Sequence, residues 1–369
     1  MKKSIAALLV CLFFCFGYTV HAAEPDISAY AAVLYEPVTG TVLFEKNSDE
    51  MLPMASTTKI MTALLAFESG LTDVPVKITD EMVRTEGSSM GLTSGDVLTL
   101  GELVEGMMMT SGNDSANAIA LFMNGSMEAF ADCMNKRARE IGMKHTSFVT
   151  PSGLDAENHF STAHDMALLA AEALKCDAFA ETVGQFSLMV DFIQPEKSMR
   201  CDNHNKLLHL YEDCTGVKTG FTKKAGRCLV SSAEREGMEL ICVTLNAPDD
   251  WNDHISLFEY GFAGMKMFEA ENQSVSVPVV GGSSDFVVCT TEETLKISIP
   301  QTCEVESYVS IPHFLYAPIE QGEEFGTISY YVNEREIARV PICADKNIEY
   351  AAAESRSLRK WAEHLFCRK

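Results

Sequence analysis

Residues 55–63 read Ala55-Ser56-Thr57-Thr58-Lys59-Ile60-Met61-Thr62-Ala63, and the apolar positions Ile60, Ala63, Leu64 and Phe67 recur at helical spacing until Gly70 interrupts them. That period, closed by a glycine, predicts a helix with one buried face and places Ser56 at or near its N-terminus. Side chains three residues apart on a helix share a face, so the Lys59 amine can reach the Ser56 hydroxyl. The first backbone N–H groups of a helix have no partner inside it and favour negative charge nearby. A serine in that place is commonly just a helix cap. With a lysine one turn on, it also has the parts of an activated nucleophile.

Working outward, residues 31–35 and 41–45 are strand-like runs joined by a turn containing Pro37 and Gly40, which predicts a hairpin. Leu98 to Met109, Asn113 to Met123 and Met127 to Ile141 read as helices, the first two interrupted by Thr110-Ser111-Gly112. Met107, Met108 and Met109 read as core packing. Strands return between Gly216 and Thr244, around the turn residues Lys223, Lys224 and Gly226. A turn near Lys223 would set Cys228 opposite Lys218 and not opposite Cys214, which disfavours a disulfide between the two cysteines. After Phe268 the chain becomes a series of short strand-like runs ending near Ala344, so a small all-β unit is expected there.

The bulk properties agree with two folded units. At 369 residues the chain exceeds one ordinary core of ~100–200 residues. Its 47% hydrophobic and 22% charged residues describe a globular protein. Lys2 and Lys3, the apolar run Ile5 to Val20 and the small residues Ala22 and Ala23 read as a signal peptide over residues 1–22. Its removal leaves 27 basic against 52 acidic residues, a surface that repels nucleic acid. Ten cysteines stay in the mature chain without a small-domain disulfide pattern. No cysteine or histidine spacing suits zinc, His159 and His164 read as structural, and neither a metal nor another cofactor is expected.

Three short motifs follow one another: Ser56-Thr57-Thr58-Lys59, Ser111-Gly112-Asn113 and Lys218-Thr219-Gly220. Each alone is weak, since Ser-x-x-Lys also occurs at Ser357 to Lys360 and Ser-x-Asn at Ser115 to Asn117. Their order and spacing carry the signal. Together with Gly87-Ser88-Ser89, Pro151-Ser152-Gly153-Leu154-Asp155, Ser161-Thr162-Ala163-His164-Asp165 and Phe221-Thr222, the chain resembles the low-molecular-mass penicillin-binding proteins, the serine D-Ala-D-Ala carboxypeptidases of peptidase family S11. The resemblance implies an α/β (strictly α+β) penicillin-binding/β-lactamase-like domain, an antiparallel sheet flanked by helices, followed by the small all-β domain. The expected divisions are signal peptide 1–22, catalytic domain 23–267, β-rich domain 268–346 and tail 347–369.

The resemblance also implies roles. Ser56 would attack the carbonyl of the penultimate D-alanine of a peptidoglycan stem peptide, and β-lactam antibiotics would acylate the same hydroxyl. Lys59 would act as general base, which needs a neutral amine, favoured if burial and Lys218 depress its pKa. Ser111 would pass a proton to the leaving amine, and Asn113 would bond the substrate amide or Lys59. Lys218, Thr219 and Gly220 would bind the substrate, the first two holding its terminal carboxylate. The backbone N–H groups of Ser56 and Phe221 would form the oxyanion hole.

The chain departs from the family pattern twice. Thr215-Gly216-Val217-Lys218 stands where many members have Asp before the Gly-x-Lys, and Asp249-Asp250-Trp251-Asn252-Asp253 stands where some carry an arginine. The second departure leaves open what holds the carboxylate beyond Lys218 and Thr219. Among rivals, a class A β-lactamase would show Glu-x-x-x-Asn between Asn113 and Lys218, and no glutamate there has Asn four residues on. An endopeptidase on crosslinks uses the same motifs, and a silent wall-binding protein would have lost one of them.

In the tail, Leu358, Trp361, Leu365 and Phe366 share a helical face while Arg356, Arg359, Lys360, Arg368 and Lys369 add positive charge. This predicts a helix lying on the membrane surface, which would hold an exported enzyme on the outer face of the cytoplasmic membrane.

Overall fold

The computed structural model of the chain describes residues 24–291 and 294–351. The opening hairpin is present: β1 (Ala31–Glu36) and β2 (Thr41–Lys46) pair antiparallel, with Leu34 opposite Phe44. A 3-10 turn, Ala55–Thr58, leads directly into α1 (Lys59–Glu68). The middle of the domain holds two short strands, β3 (Pro75–Lys77) and β4 (Val97–Thr99). Around them lie α2 (Leu100–Thr110), α3 (Asn113–Asn124), α4 (Met127–Ile141), α5 (Ala163–Ala173) and α6 (Asp177–Gly184). The hairpin β5 (Ser187–Phe192) and β6 (Lys197–Asp202) and the single turn α7 (Leu207–Leu210) follow. Strands β7 (Cys214–Thr222), β8 (Gly226–Arg235) and β9 (Met238–Leu245) precede α8 (Asp250–Ala263).

Hydroxyl side chains start three of the helices. Thr99, Ser126 and Thr162 accept hydrogen bonds from the N–H groups of Glu102, Ala129 and Asp165, opening α2, α4 and α5. Such caps are worth about 1 kcal/mol each.

Five strands form one antiparallel sheet in the order β2-β1-β9-β8-β7, leaving β7 at an edge. Side chains alternate between its faces. Ala31, Val33 and Tyr35 join a large core with α1 to α5, whereas Ala32 and Leu34 join the core beneath α8. This double cover explains why every residue of β1 is buried. The α8 side is locked by Phe258, wholly buried and stacked on Tyr211 at 5.7 Å. Burying such a ring contributes about 1.5–3 kcal/mol.

The turn between β7 and β8 centres on Lys224 and not Lys223, so Gly220 faces Cys228, Lys218 faces Val230 and Cys214 faces Ala233. Cys228 opposite Lys218 was therefore the wrong register, although Cys214 and Cys228 are separate free thiols as expected. The helices from Ala163 to Gly184 and the β5–β6 hairpin had no counterpart in the sequence reading.

The second domain is all β. It contains β10 (Met265–Ala270), β11 (Ser274–Val280), β12 (Phe286–Thr290) and β13 (Leu295–Pro300). It continues with β14 (Glu306–Ser310), β15 (Leu315–Tyr316), β16 (Glu324–Val332) and β17 (Arg335–Ala344). Strands β10 and β13 pair as a ribbon, and the other six form a sheet in the order β14-β16-β17-β12-β11-β15. The expected division at residues 267 and 268 falls inside β10, which begins in one core with Met265 and ends in the other with Ala270. The amphipathic stripe expected in the tail lies outside the described residues.

Candidate active site

Ser56 sits in the 3-10 turn and does not cap α1: no side chain caps either helix start here. Its Oγ instead lies 3.0 Å from Lys59 Nζ. Lys59 is wholly buried, and its Nζ also donates to Asn113 Oδ1 at 2.7 Å and to the Ser152 carbonyl at 2.6 Å. Burial lowers the Lys59 pKa well below its ordinary value, the Lys218 charge lowers it further, and Asp114 opposes them. A neutral amine has two N–H donors and one lone pair. Two carbonyl oxygens can only accept, so they take both N–H groups and turn the lone pair toward the remaining neighbour, the Ser56 hydroxyl. The geometry thus prepares Lys59 to take the Ser56 proton.

Asn113 starts α3, and its orientation is fixed because Nδ2 donates to the Glu86 carbonyl at 2.7 Å while its backbone N–H donates to the Ser88 carbonyl at 2.8 Å. Next to it, the buried carboxylate of Asp114 accepts from the N–H groups of Met90, Gly91, Leu92 and Ser115 and from the Ser89 hydroxyl. Five donors offset the burial of that charge. Four of them also tie the Ser89–Leu92 segment to the motif carrying Ser111 and Asn113.

Ser111 is buried and left-handed, with φ 59°, at the end of α2. It lines one cleft of about 310 Å³ together with Ser56, Ser88, His204, Lys206, Thr219, Gly220, Phe221, Arg227, Asp250 and Trp251. Phe221 is largely exposed. Lys218, by contrast, is 2% exposed and its Nζ donates to the Thr219 carbonyl at 3.1 Å. Burial pulls its pKa down to about 7.

Two glycines set the separations. A Cβ on Gly220 would stand 3.1 Å from both the Met54 carbonyl oxygen and the Ser56 nitrogen, so edge strand β7 lies directly against the Ser56 backbone. A Cβ on Gly153, at φ +85°, would fall 1.8 Å from the Ala55 carbonyl oxygen. His159 secures the same contact from behind: Val149 N–H donates to Nδ1 at 2.9 Å and Nε2 lies 3.0 Å from Thr58 Oγ1. Burial drives its pKa down to about 4, so it is neutral and structural.

Sequence reasoning had not singled out Asp114, the Ser152 carbonyl, His204, Lys206, Arg227 or Trp251. Ser152 lay inside a motif already quoted, and Asp114 directly follows Asn113. The last four enter the cleft from α7's approach, β8 and α8, and only the fold brings them there.

A sequence profile described as D-alanyl-D-alanine carboxypeptidase matches residues 18–249, and one described as the C-terminal domain of penicillin-binding protein 5 matches residues 262–350. The D-alanyl-D-alanine carboxypeptidase DacF of Bacillus subtilis is 35% identical over 340 residues, covering 88% of this chain and 86% of that protein. DacC of Escherichia coli, of the same description, is 34% identical over 366 residues, covering 91% and 89%. Among solved structures, penicillin binding protein 5 from Haemophilus influenzae has a TM-score of 0.65 at 27% identity, covering 89% of this chain and 99% of that one.

The close approach at Gly220 gives the first prediction. Gly220→Ala must push β7 away from the Met54–Ser56 backbone by a few tenths of an ångström. Covalent labelling of Ser56 by a reactive acyl donor should slow at least ~10-fold, equivalent to about 1.4 kcal/mol of barrier, while the thermal midpoint moves by only a few degrees. Unchanged labelling would show that the spacing does not matter.

Proposed function

The chain belongs to the D-alanyl-D-alanine carboxypeptidase family, and from that premise we propose how its residues remove the terminal D-alanine of a peptidoglycan stem pentapeptide. The observation that carries the reading is the wholly buried Lys59 amine held 3.0 Å from the Ser56 hydroxyl by two carbonyl acceptors.

Ser56 Oγ attacks the carbonyl carbon of the penultimate D-alanine while its proton passes to Lys59 Nζ. The negative oxygen of the tetrahedral intermediate accepts from the N–H groups of Ser56 and Phe221. The C–N bond then breaks, and the leaving amine of D-alanine takes a proton delivered from Lys59 through the Ser111 hydroxyl. Water attacks the resulting ester, Lys59 accepts a proton from it, and Ser56 is released with its hydroxyl restored. A penicillin is attacked at its ring amide in the same way, but its leaving group stays tethered. Asn113 holds the Lys59 amine, Thr219 and Gly220 line the substrate's place, and the Lys218 charge keeps Lys59 neutral and favours the substrate carboxylate.

Residues 1–22 direct the chain out of the cytoplasm, and the basic amphipathic stripe after residue 350 rests on the membrane surface. Both assignments rest on the sequence pattern alone.

Ser56→Ala should abolish both D-alanine release from a pentapeptide ending in D-Ala-D-Ala and labelling by a fluorescent penicillin. Surviving label would place the nucleophile elsewhere. The pH dependence has a fixed sign. Because the amine is the base, kcat/KM should fall with slope approaching one as pH drops through the Lys59 pKa. Removing a positive neighbour raises that pKa, so Lys218→Gln should move the acid limb toward higher pH. A limb that stays in place would remove Lys218 from this role. Deleting residues 350–369 should abolish co-sedimentation with anionic liposomes and leave D-alanine release intact; undiminished sedimentation would overturn the anchor.

A further inference from the structure

The protein carries 52 acidic and 29 basic residues, yet the cleft wall around Thr219 presents the cations of Lys206 and Arg227 against the single carboxylate of Asp250, with His204 biased to its neutral form by burial. Such a local reversal of sign focuses an anionic substrate. Lys218 is not what the cleft exposes: it pairs with Val230, whose side chain lies in the core shared with α1 to α5, and its amine is buried beside Lys59. Thr219 pairs with Leu229, which belongs to the core beneath α8. Arg227 is two residues from Leu229 on the same face of β8, which makes it the diagonal neighbour of Thr219. Such Cα atoms lie about 7–8 Å apart, within reach of a long side chain.

Arg227 is also held in a defined pose. Its Nη2 donates to Asp250 Oδ1 at 2.6 Å, and its guanidinium carbon stands 5.3 Å from the centre of the Trp251 ring. That single hydrogen bond uses one of five N–H donors, and among the described residues Nε has no partner. The side chain is 41% exposed. An arginine serving only as an ion pair would be expected to offer a carboxylate both prongs of its fork. Here one prong is fixed by a buried aspartate and Nε is itself buried, so the donor left for a ligand at the cleft is Nη1, which has no partner among the described residues on a side chain that is part-exposed.

We propose that Arg227 binds the terminal carboxylate of the substrate together with the Thr219 hydroxyl, oriented by Asp250 and Trp251, while Lys218 acts from behind the wall on Lys59. The inference rests on the carboxypeptidase reading. It answers the open question of the carboxylate contact: the α8 start, where some family members carry an arginine, here supplies the aspartate that positions an arginine from the neighbouring strand.

The test compares acylation of the full-length protein by a fluorescent penicillin bearing a free carboxylate and by its methyl ester. Arg227→Gln should lower the second-order rate constant for the free acid roughly 10- to 100-fold, the range for a lost charge-assisted hydrogen bond, and leave the ester within about 2-fold. Arg227→Lys, which keeps the charge but not the fork, should fall between wild type and Arg227→Gln. Asp250→Asn, which loosens the guanidinium without touching substrate, should raise KM for the pentapeptide while leaving kcat within about 2-fold. Equal losses on acid and ester, or no loss on either, would overturn the proposal. If the wild type acylates but releases no D-alanine from the pentapeptide, the carboxypeptidase reading fails while the acid-to-ester ratio still decides the role of Arg227.

Discussion

An amine with no access to water, 3.0 Å from a hydroxyl and closer still to two carbonyl oxygens, is the constraint on which this site depends. A lysine in water at neutral pH is a cation and cannot accept a proton. Removing water disfavours the charged form, and a second buried lysine adds to the effect. What opposes desolvation is hydrogen bonding, and here it comes from backbone and amide oxygens that also aim the lone pair. The surrounding architecture keeps those oxygens in place. Gly153 lets the Ser152 loop press on Ala55, and His159 ties that loop to Thr58. Glu86 and Ser88 hold Asn113, and Asp114 fastens the adjoining Ser89–Leu92 stretch with four hydrogen bonds.

The second organising feature is the edge position of β7. A central strand would have both sides of its backbone occupied, whereas an edge strand keeps one side open. The 3-10 turn with Ser56 lies against β7 at Gly220, and Ser111 at the end of α2 lines the same cleft as Thr219. Alternation along β7 then separates two kinds of cation. Lys218 faces inward and lowers the Lys59 pKa, and Thr219 faces the wall that Arg227 shares. One strand thus carries both a charge that acts on the buried Lys59 amine and a residue that lines the cleft.

Much of this was legible in residues 55–63 and two later tripeptides, because spacing of three along a helix is a local property. The helix Met127–Ile141 and the opening hairpin were equally readable, having strong periods and clear ends. Where the reading failed, a nonlocal quantity was involved. The β7–β8 turn sits one residue later than expected, which shifts each partner by two and changes which cysteine meets which residue. The division between domains fell within β10 because that strand contributes to both cores. Arg227 gave no signal, since an arginine after a turn is unremarkable until register places it beside Thr219.

The sequence by itself determined that a serine and a lysine share a helical face, that helices and strands alternate around them, and that an all-β unit follows. These depend on side-chain period and on contacts a few residues apart. Only the tertiary structure decided that Lys59 loses its water, that Ser152 and Asn113 arrive to receive its protons, and that Arg227 reaches the cleft while Lys218 does not. Solvent exclusion and sheet register are set by residues distant in the chain, and no local pattern encodes which of them will meet.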